Sequence, residues 1–218
     1  MLFRDRTEAG AALASKLTAY RDQPNVRVLA LPRGGVPVAF EVAQALHAPM
    51  DVFSVRKLGL PVHPELAMGA IATGGVRVLN ASLVKTLRIP DAVIEAIAAQ
   101  EQKELERRER AYRGDLPPLD VRGRTVILVD DGLATGATMR AAVQAARKLG
   151  AARVVVAVPI GARETCEEFR AEADETVCAY TPEPFHAVGQ WYDDFSETTD
   201  DEVHALLDRT RHAAASPS

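Results

Sequence analysis

The sequence predicts an α/β fold, in which a mostly parallel, twisted sheet of about five strands is flanked by helices. Short apolar runs rich in β-branched residues alternate along the chain with segments whose apolar residues recur at helical spacing, and this alternation is typical of parallel sheets. The 218 residues are 47% hydrophobic and 26% charged, as in ordinary globular chains, which excludes a mainly disordered protein. Because this length suits one core, we expect a single domain over residues 1–218.

The first half of the chain is predicted to begin with a helix over about residues 6–22. Asp5 and Glu8 form a candidate capping pair, and apolar residues follow at helical spacing. Gly74 and Gly75 separate two short apolar runs and indicate a hairpin, because both turn positions accept a positive φ. The predicted elements after the first helix are a strand over 26–31, a helix over 36–46, a strand over 51–55 and the hairpin strands over 68–73 and 76–79.

The second half contains a long charged helix and then three more strands. Pro90 and Asp91 begin this helix, which reaches about Arg113, and its Glu–Arg pairs at helical spacing indicate a solvated face. The predicted elements after it are strands over 125–129, 153–158 and 176–180, helices over 137–149, 161–171 and about 201–209, and a frayed tail over 213–218.

Charge and cysteine usage limit the partners and the compartment that we expect. The net charge of −4 and the aromatic content of 5% disfavour a nucleic-acid partner, which calls for cationic side chains and stacking platforms. Cys166 and Cys178 match no zinc or redox spacing, so we expect two free thiols that act as buried spacers in a reducing cytoplasm. No apolar run has the length of a membrane span or of a signal-peptide core, so we expect a cytoplasmic protein without a membrane partner.

The segment Val126–Met139 carries the strongest functional signal in the chain. An apolar strand delivers two adjacent carboxylates, Asp130 and Asp131, to its carboxyl end, where open α/β sheets bind ligands. A loop of small residues then leads into a helix, whose first N–H groups and positive dipole end suit a phosphate. Because carboxylates repel phosphate, the two aspartates suit ligand hydroxyls or metal-bound water. The candidate phosphate-binding residues are Ala134, Thr135, Gly136, Ala137 and Thr138.

A purely structural turn is the alternative for this segment. Capping a helix requires one polar residue, whereas this stretch holds two carboxylates, two threonines and two turn glycines. Adjacent carboxylates also repel each other, a cost that a structural turn would avoid. A Walker loop is excluded because no Gly-Lys-Ser/Thr follows, and a dinucleotide loop is excluded because the Gly-x-Gly-x-x-Gly pattern is absent.

Asp130–Thr138 resembles the signature of type I phosphoribosyltransferases, which bind 5-phosphoribosyl 1-diphosphate (PRPP). The resemblance implies that Asp130 and Asp131 hold the ribose hydroxyls and contribute to a Mg²⁺ site, and that the following loop cradles the 5′-phosphate. The sequence of residues Leu133–Gly136 is most similar to the corresponding motif of adenine phosphoribosyltransferases. Hypoxanthine-guanine enzymes carry an Asp at the position of Ala134, so the resemblance disfavours a 6-oxopurine substrate.

Two upstream segments resemble the diphosphate-binding parts of the same family. Arg33, Gly34 and Gly35 follow the first predicted strand, as in the family's diphosphate loop, although a Gly-Gly pair is also an ordinary turn. Lys57, with Arg56 before it, resembles a basic pair that reaches the diphosphate, and surface charges are the alternative for these two cations.

Two further segments are expected to close over the site. The stretch Leu58–Leu66 lies where the family has a mobile lid, and its His63 and Glu65 are candidates for a metal or acid–base pair, with an inert loop histidine as the alternative. The resemblance covers roughly residues 26–180, within a predicted core of about 24–180. This leaves the helix at about 90–113 as an insertion and about 181–211 as a C-terminal hood. Four aromatic residues of this hood either stack a flat base or pack the segment onto the core, namely Phe185, Trp191, Tyr192 and Phe195.

The resemblance implies a transferase that passes the 5-phosphoribosyl group of PRPP to a nitrogen acceptor such as a nucleobase and releases diphosphate. Mg²⁺ is the implied cofactor, nucleotide salvage the implied role and a homodimer the implied assembly. The sequence names no general base. A catalytically silent PRPP-sensing regulator is the alternative from another class, and hydrolysis or transfer to a non-base acceptor is a third. The implied catalytic residues are Asp130, Asp131, Lys57 and Arg33.

Overall fold

Strands and helices alternate along residues 2–60 and 67–215, which are the part of the chain that the computed structural model describes. The strands in these residues are β1 (Val26–Ala30), β2 (Met50–Val52), β3 (Val55–Gly59), β4 (Ala67–Ala72), β5 (Val76–Leu79), β6 (Thr125–Val129), β7 (Arg153–Ile160) and β8 (Glu175–Tyr180). The helices are α1 (Arg6–Ala14), α2 (Gly35–Leu46), α3 (Ala81–Leu87), α4 (Asp91–Arg113), α5 (Ala137–Lys148), α6 (Arg163–Glu172) and α7 (Asp200–Ala215).

Five parallel strands form the main sheet in the order β2–β1–β6–β7–β8. β6 and nearly all of β7 are buried, which explains their continuous runs of valine, isoleucine and leucine. Helices α1, α2 and α7 pack on one face of this sheet, and α5 and α6 pack on the other. The structure therefore confirms the predicted α/β fold with a parallel sheet flanked by helices.

The direction in which the sheet grows reverses between β1 and β6. From β1 the chain moves to β2 on one side, and from β6 it moves through β7 to β8 on the other side. β1 and β6 pair with Ala30 opposite Val129, so their carboxyl ends lie side by side. Open α/β sheets bind their ligands in the crevice at such a switch point. The loops that follow Ala30 and Val129 therefore meet where a ligand site is expected.

β3, β4 and β5 form a separate antiparallel sheet. The predicted hairpin is present, and both of its glycines, Gly74 and Gly75, have positive φ angles. The predicted single strand over 51–55 is wrong, because β2 ends at Val52 and β3 begins at Val55 in the other sheet. The apolar residues that continue through both strands conceal this break from sequence analysis.

The long charged helix is confirmed by α4. Ile94, Ala98 and Leu105 are buried against the small sheet, whereas most charged side chains of α4 face solvent. Glu101 of α4 accepts a hydrogen bond from Arg56 of β3 at 2.7 Å, so Arg56 is turned toward this helix. Within residues 2–60 and 67–215, neither α4 nor any other helix combines the length and apolarity that crossing a bilayer requires.

Three helices differ in extent from the sequence prediction. α1 ends at Ala14, and the chain then forms a 3-10 turn that still buries Tyr20. α3 has no counterpart in the prediction, and its cap is Asn80, whose side chain accepts a backbone N–H. α7 extends to Ala215, and its buried residues Val203 and Leu207 join the core cluster that contains α2. The last part of the predicted tail, residues 216–218, lies outside the described residues.

The two cysteines form a disulfide between α6 and β8, so the prediction of free thiols is wrong. Cys166 is buried, as expected for a spacer, and Cys178 is half-buried. α6 folds back onto β8, and this contact brings the two sulfur atoms together. The spacing of the cysteines along the chain does not predict that contact, because the contact arises only when α6 docks on β8, the strand that follows it.

The contact between α1 and α2 generates a stability prediction. A Cβ on Gly10 would lie 2.8 Å from both Glu41 Cβ and the Val38 carbonyl oxygen, so no side chain fits between these helices. We predict that Gly10→Ala lowers the free energy of unfolding by about 1–3 kcal/mol, despite the better helix propensity of alanine. Urea denaturation measures this loss. The control, Ala11→Ser at an exposed position of the same helix, should cost less than about 0.7 kcal/mol. An unchanged midpoint for Gly10→Ala would contradict the packing described here.

Candidate active site

The loops that follow β1 and β6 are in direct contact at the switch point. A Cβ on Gly34 would lie 2.1 Å from Asp131 Oδ2. A Cβ on Gly35 would lie 2.7 Å from the Val129 carbonyl oxygen and 3.2 Å from Asp130 Oδ1. Side chains are therefore excluded at both glycines. The structure brings together four of the predicted site residues, two from each loop.

The adjacent carboxyl groups of Asp130 and Asp131 lie at the floor of this crevice. Asp130 Oδ1 accepts the backbone N–H of Asp131 at 2.9 Å. Burial raises the pKa of Asp130 well above its ordinary value of 3.8, and the neighbouring Asp131 charge raises it further. Burial also raises the pKa of Asp131, although the Arg6 guanidinium opposes this effect. The two charges are therefore costly unless a cation or a ligand compensates them.

Arg6 of α1 provides a compensating cation that sequence analysis missed. Its Nε and Nη2 atoms each lie 2.9 Å from Asp131 Oδ2, and only 11% of the Arg6 side chain is exposed. Its Nη1 donates to the Ser196 carbonyl oxygen at 2.7 Å, and its guanidinium carbon lies 4.1 Å from the centre of the Phe195 ring. No sequence signal identifies this residue, because Asp131 and Ser196 lie 125 and 190 positions further along the chain.

The predicted phosphate loop, Ala134–Thr138, is supported by two helices. Thr165 Oγ1 of α6 donates to the Ala134 carbonyl oxygen at 2.7 Å. Arg140 Nη1 of α5 donates to the Thr135 carbonyl oxygen at 2.9 Å. Because these bonds hold the loop carbonyls, the N–H groups of the first turn of α5 are left to bind a ligand.

Gly136 has a role that its place in the motif does not reveal. Its φ angle is 73°, and a Cβ there would lie 2.5 Å from Cε2 of Phe169 in α6. This glycine is therefore required for the loop to pack on α6, whatever the loop binds. Ala134, Thr135 and Ala137 are exposed and form the accessible side of the loop.

Lys57 shares an opening with the start of α5. It lies in β3 and lines a groove of about 490 Å³ between the small sheet and α5. Ala137 and Thr138 line the same groove, so Lys57 and two of the candidate phosphate-binding residues face one space. Most of the predicted lid lies outside the described residues. Its two candidate polar residues, His63 and Glu65, are in that part.

Arg33 forms ion pairs with carboxylates of the C-terminal segment. Its guanidinium contacts Glu197 and lies 3.8 Å from Asp200 Oδ1. Asp200 begins α7 and accepts the Tyr112 hydroxyl of α4 at 2.6 Å. Burial and this bond raise the pKa of Tyr112 to about 12. The positive charge predicted to bind a ligand is thus balanced by the protein's own carboxylates.

The N-terminal residues pair with the predicted hood segment close to Asp131. The Phe3 N–H donates to the Trp191 carbonyl oxygen at 3.0 Å. Tyr192 is buried, and its hydroxyl donates to the Asp131 carbonyl oxygen at 2.6 Å. Burial also raises the pKa of Tyr192 far above its ordinary value. Among the hood aromatics, Tyr192 thus packs onto the core, whereas Phe195 is 38% exposed and carries the guanidinium described above.

The fold is that of an α/β protein whose two loops meet at the switch point of a parallel sheet, which is where open α/β sheets bind their ligands. The sequence matches the family described as "Phosphoribosyl transferase domain" over residues 4–188. The chain belongs to this family, and the match confirms the resemblance that Asp130–Thr138 indicates.

Two curated proteins and one solved structure are similar to this chain over different shares of their own length. Rv0571c of Mycobacterium tuberculosis (strain ATCC 25618 / H37Rv) is 51% identical over 208 residues, and its name describes it as a candidate phosphoribosyl transferase. This match covers 95% of the chain and 47% of the relative, so the chain spans about half the length of this curated relative. The crystal structure of TT1426 from Thermus thermophilus has a TM-score of 0.84 and 44% identity, and the match covers 95% of this chain and 98% of that one. "Bifunctional protein PyrR" of Chloroflexus aurantiacus is 34% identical over 131 residues, which cover 59% of this chain and 66% of the relative.

The raised pKa of Asp130 predicts that its charge destabilises the folded protein at neutral pH. Because the folded pKa lies above the ordinary value of 3.8, stability is lost as the pH rises through the interval between these two values. We predict that Asp130→Asn raises the free energy of unfolding at neutral pH, because it removes this destabilising charge. Thermal unfolding over a pH series measures this gain, which should vanish below the ordinary pKa of 3.8.

The matched control is Asp193→Asn, which removes an exposed carboxylate. A gain for Asp130→Asn that persists unchanged in acid would show that its origin is not the carboxylate charge.

Proposed function

We propose that this protein is a type I phosphoribosyltransferase that transfers the 5-phosphoribosyl group of PRPP to a nitrogen acceptor, such as a nucleobase, and releases diphosphate. The observation that carries this proposal is the direct contact between the glycine loop, Gly34 and Gly35, and the carboxylate pair, Asp130 and Asp131. A sugar that carries phosphoryl groups at both ends requires hydroxyl acceptors in the middle and anion-binding backbone on either side. The family membership of the chain supports the same donor.

In this proposal the ribose and its 5′-phosphate bind along the connection between β6 and α5. Asp130 and Asp131 accept hydrogen bonds from the ribose hydroxyls. Arg6 engages Oδ2 of Asp131, which leaves Oδ1 as an acceptor for a hydroxyl. The 5′-phosphate binds at Ala134–Thr138, where the N–H groups of the first turn of α5 and two threonine hydroxyls are the donors.

The diphosphate is assigned to the loop Arg33–Gly35 and to Lys57. The glycines allow an anion to approach backbone N–H groups closely. Arg33 would exchange its contact with Glu197, a largely exposed residue, for phosphate oxygens, which form stronger charge-assisted bonds. Lys57 would approach from β3 across the groove that it shares with Thr138.

Mg²⁺ is the cofactor that we propose, and the donor set fits it. This cation prefers oxygen ligands and usually takes one or two carboxylates together with substrate phosphate oxygens. Asp131 already carries the Arg6 guanidinium, whereas Asp130 bonds to a backbone N–H, so Asp130 is the better placed of the two to hold the metal or its water. When bound, Mg²⁺ would neutralise charge that develops on the diphosphate.

The residues of the chain contribute to the reaction by positioning and by stabilising the leaving group. The acceptor nitrogen forms a bond to the anomeric carbon as the bond from that carbon to the diphosphate oxygen breaks, and the electron pair leaves with the diphosphate. Holding the donor at both phosphoryl ends fixes the anomeric carbon in front of the acceptor. Arg33 and Lys57 stabilise the negative charge that leaves. We assign no general base.

We further propose that residues 181–211, together with the N-terminal residues that pair with them, form a hood over the acceptor within a single domain over 1–218. The core of this domain spans about residues 24–180, and α4 is an insertion in it. The bond from Tyr192 to the Asp131 carbonyl oxygen supports this arrangement, because it ties the hood to the donor site. A homodimer and a role in cytoplasmic nucleotide salvage are proposed on family membership.

A PRPP-sensing regulator is the second candidate function. The PyrR relative carries a name that assigns it two functions, and the longer curated relatives contain sequence beyond the matched part. The deciding experiment incubates the purified chain with PRPP, Mg²⁺ and a panel of purine and pyrimidine bases while diphosphate is measured. Release with any base supports transfer, and PRPP binding without release across the panel supports the sensor. Absence of PRPP binding would overturn both.

The assignment of Asp131 to a ribose hydroxyl predicts a binding defect in Asp131→Asn. Loss of the charged acceptor should lower the affinity for PRPP and Mg²⁺ about ten- to hundredfold, because hydrogen bonds to charged groups are stronger than neutral ones. Isothermal titration calorimetry measures the affinity, and circular dichroism checks the fold. Asp201→Asn, at an exposed position of α7, is the control and should bind normally. Wild-type affinity in Asp131→Asn would rule out the assignment.

The ion pair of Arg6 with Asp131 predicts that Arg6 positions the donor-binding carboxylate. Arg6→Gln should lower PRPP affinity about tenfold, because Asp131 then loses the two bonds that fix its orientation. Arg6→Lys should recover part of this loss by restoring the charge. Arg4→Gln is the matched control, because Arg4 is exposed and pairs with Glu8 alone among the described ion pairs. Equal losses in Arg6→Gln and Arg4→Gln would show that the effect is not specific to this pair.

A further inference from the structure

We propose that the Cys166–Cys178 disulfide is an exchange site for a small anionic thiol, and that its reduction weakens binding of the donor. The first part rests on the disulfide and on the cleft that it lines. The second part rests on the proposed function, because the coupling runs through the candidate phosphate loop Ala134–Thr138.

The cleft has a volume of about 300 Å³ and a positively charged lining. Lys16, Arg163 and Arg170 contribute cations, and Glu167 is the acidic residue that lines it with them. Arg163 also pairs with Glu183 at 2.6 Å, so Lys16 and Arg170 supply the excess positive charge. Such a lining attracts an anion and, beside a disulfide, favours the thiolate form of an attacking thiol and of the sulfur that leaves.

A buried hydroxyl in the same cleft calls for a polar ligand. Thr176 lines the cleft, and its Oγ1 is buried without a hydrogen-bond partner in the described part of the chain. Buried polar atoms are normally bonded, so this one has capacity for a ligand group. The charge and the hydroxyl together favour a short thiol that carries carboxylate and amide groups, a class that glutathione represents.

The exchange occurs in two balanced steps. The thiolate of the incoming molecule attacks Cys178 Sγ, since Cys178 is the more exposed of the two residues, and the S–S bond breaks. Cys166 leaves as a thiolate and takes a proton from solvent. A second thiol molecule then attacks the mixed disulfide, which releases Cys178 as a thiol and the small molecule as its own disulfide. The protein gains the two electrons that the two thiol molecules lose.

The disulfide lies next to the residues that support the phosphate loop. Cys166 follows Thr165, whose hydroxyl donates to the Ala134 carbonyl oxygen at 2.7 Å. Cys166 Sγ also packs on Gly161, where a Cβ would lie 2.5 Å from it. Gly161 in turn bridges to Leu133, the residue that precedes the loop. The bond to β8 therefore fixes the turn of α6 on which the loop rests.

Reduction should loosen this turn without unfolding α6. Phe169 is fully buried, and Arg140 pairs with Glu168 and Glu172, so the rest of the helix keeps its contacts. The expected loss is that of one supporting hydrogen bond, which corresponds to about three- to tenfold in PRPP affinity.

Thiol titration and exchange kinetics test the exchange site. Air-oxidised protein should show no titratable thiol, and reduced protein should show both cysteines. Glutathione should reduce the disulfide faster than uncharged 2-mercaptoethanol at equal thiolate concentration, and Lys16→Glu combined with Arg170→Glu should abolish this preference. Lys85→Glu, a charge reversal at an exposed position of α3, is the control. Free thiols in the oxidised protein, or a preference that survives both charge reversals, would overturn the exchange site.

Calorimetric titration of PRPP with Mg²⁺ into the oxidised and the reduced chain tests the coupling. The double variant Cys166→Ser with Cys178→Ser should bind like the reduced protein and should not respond to reductant. Hydrogen exchange at residues 133–138 gives a second readout, and reduction should accelerate it. If neither the oxidised nor the reduced chain binds PRPP, the proposed function fails. The hydrogen-exchange rates at residues 133–138 then still decide whether the disulfide controls the loop. Equal hydrogen-exchange rates and equal PRPP affinities in the oxidised and the reduced chain would overturn the coupling.

Discussion

The crevice depends on how the protein holds two adjacent, poorly hydrated carboxyl groups at the end of a strand. Repulsion and desolvation both oppose their ionisation, and Arg6 is the cation that reduces this cost. The same guanidinium bonds to Ser196 and stacks on Phe195, so the first helix and the C-terminal segment are held together through the site. Arg6 therefore links both segments to the carboxylate pair of the crevice.

A second constraint is that both proposed ligand-binding loops need support from neighbouring elements. The β1 loop is positioned by β6, because its glycines lie against Val129 and the two aspartates. The β6 loop is positioned by α6, through the Thr165 bond and the packing of Phe169 on Gly136. In the β6 loop this support leaves the N–H groups of the first turn of α5 available, which is what preorganised anion binding requires. In the β1 loop the Gly35 N–H already donates to the Leu31 carbonyl oxygen at 3.1 Å. Because the β6 loop rests on α6, a change in the position of α6 would also perturb the crevice.

The parts of the structure that follow from local chemistry could be predicted from the sequence, and the parts that follow from docking could not. The β6–α5 connection is recognisable because strand, carboxylates and helix start are contiguous in Asp130–Thr138. Gly74 and Gly75 identify their hairpin for the same reason, since a turn is defined by its own residues. Arg6, by contrast, enters the site from 125 positions away, and the cysteine pair forms only once α6 lies on β8.

Under the proposed function, the ion pair between Arg33 and Glu197 would give the C-terminal segment an electrostatic part in donor binding. An anion that binds Arg33 competes with Glu197 for the same guanidinium. Glu197 is 77% exposed, so its release into water costs little, whereas Asp200 is tied to Tyr112 and keeps α7 in place. The exchange therefore changes the charge beside the crevice without moving the helix that follows. For the proposed transferase, this exchange is a direct physical way for the donor to alter the charge on the wall beside the crevice.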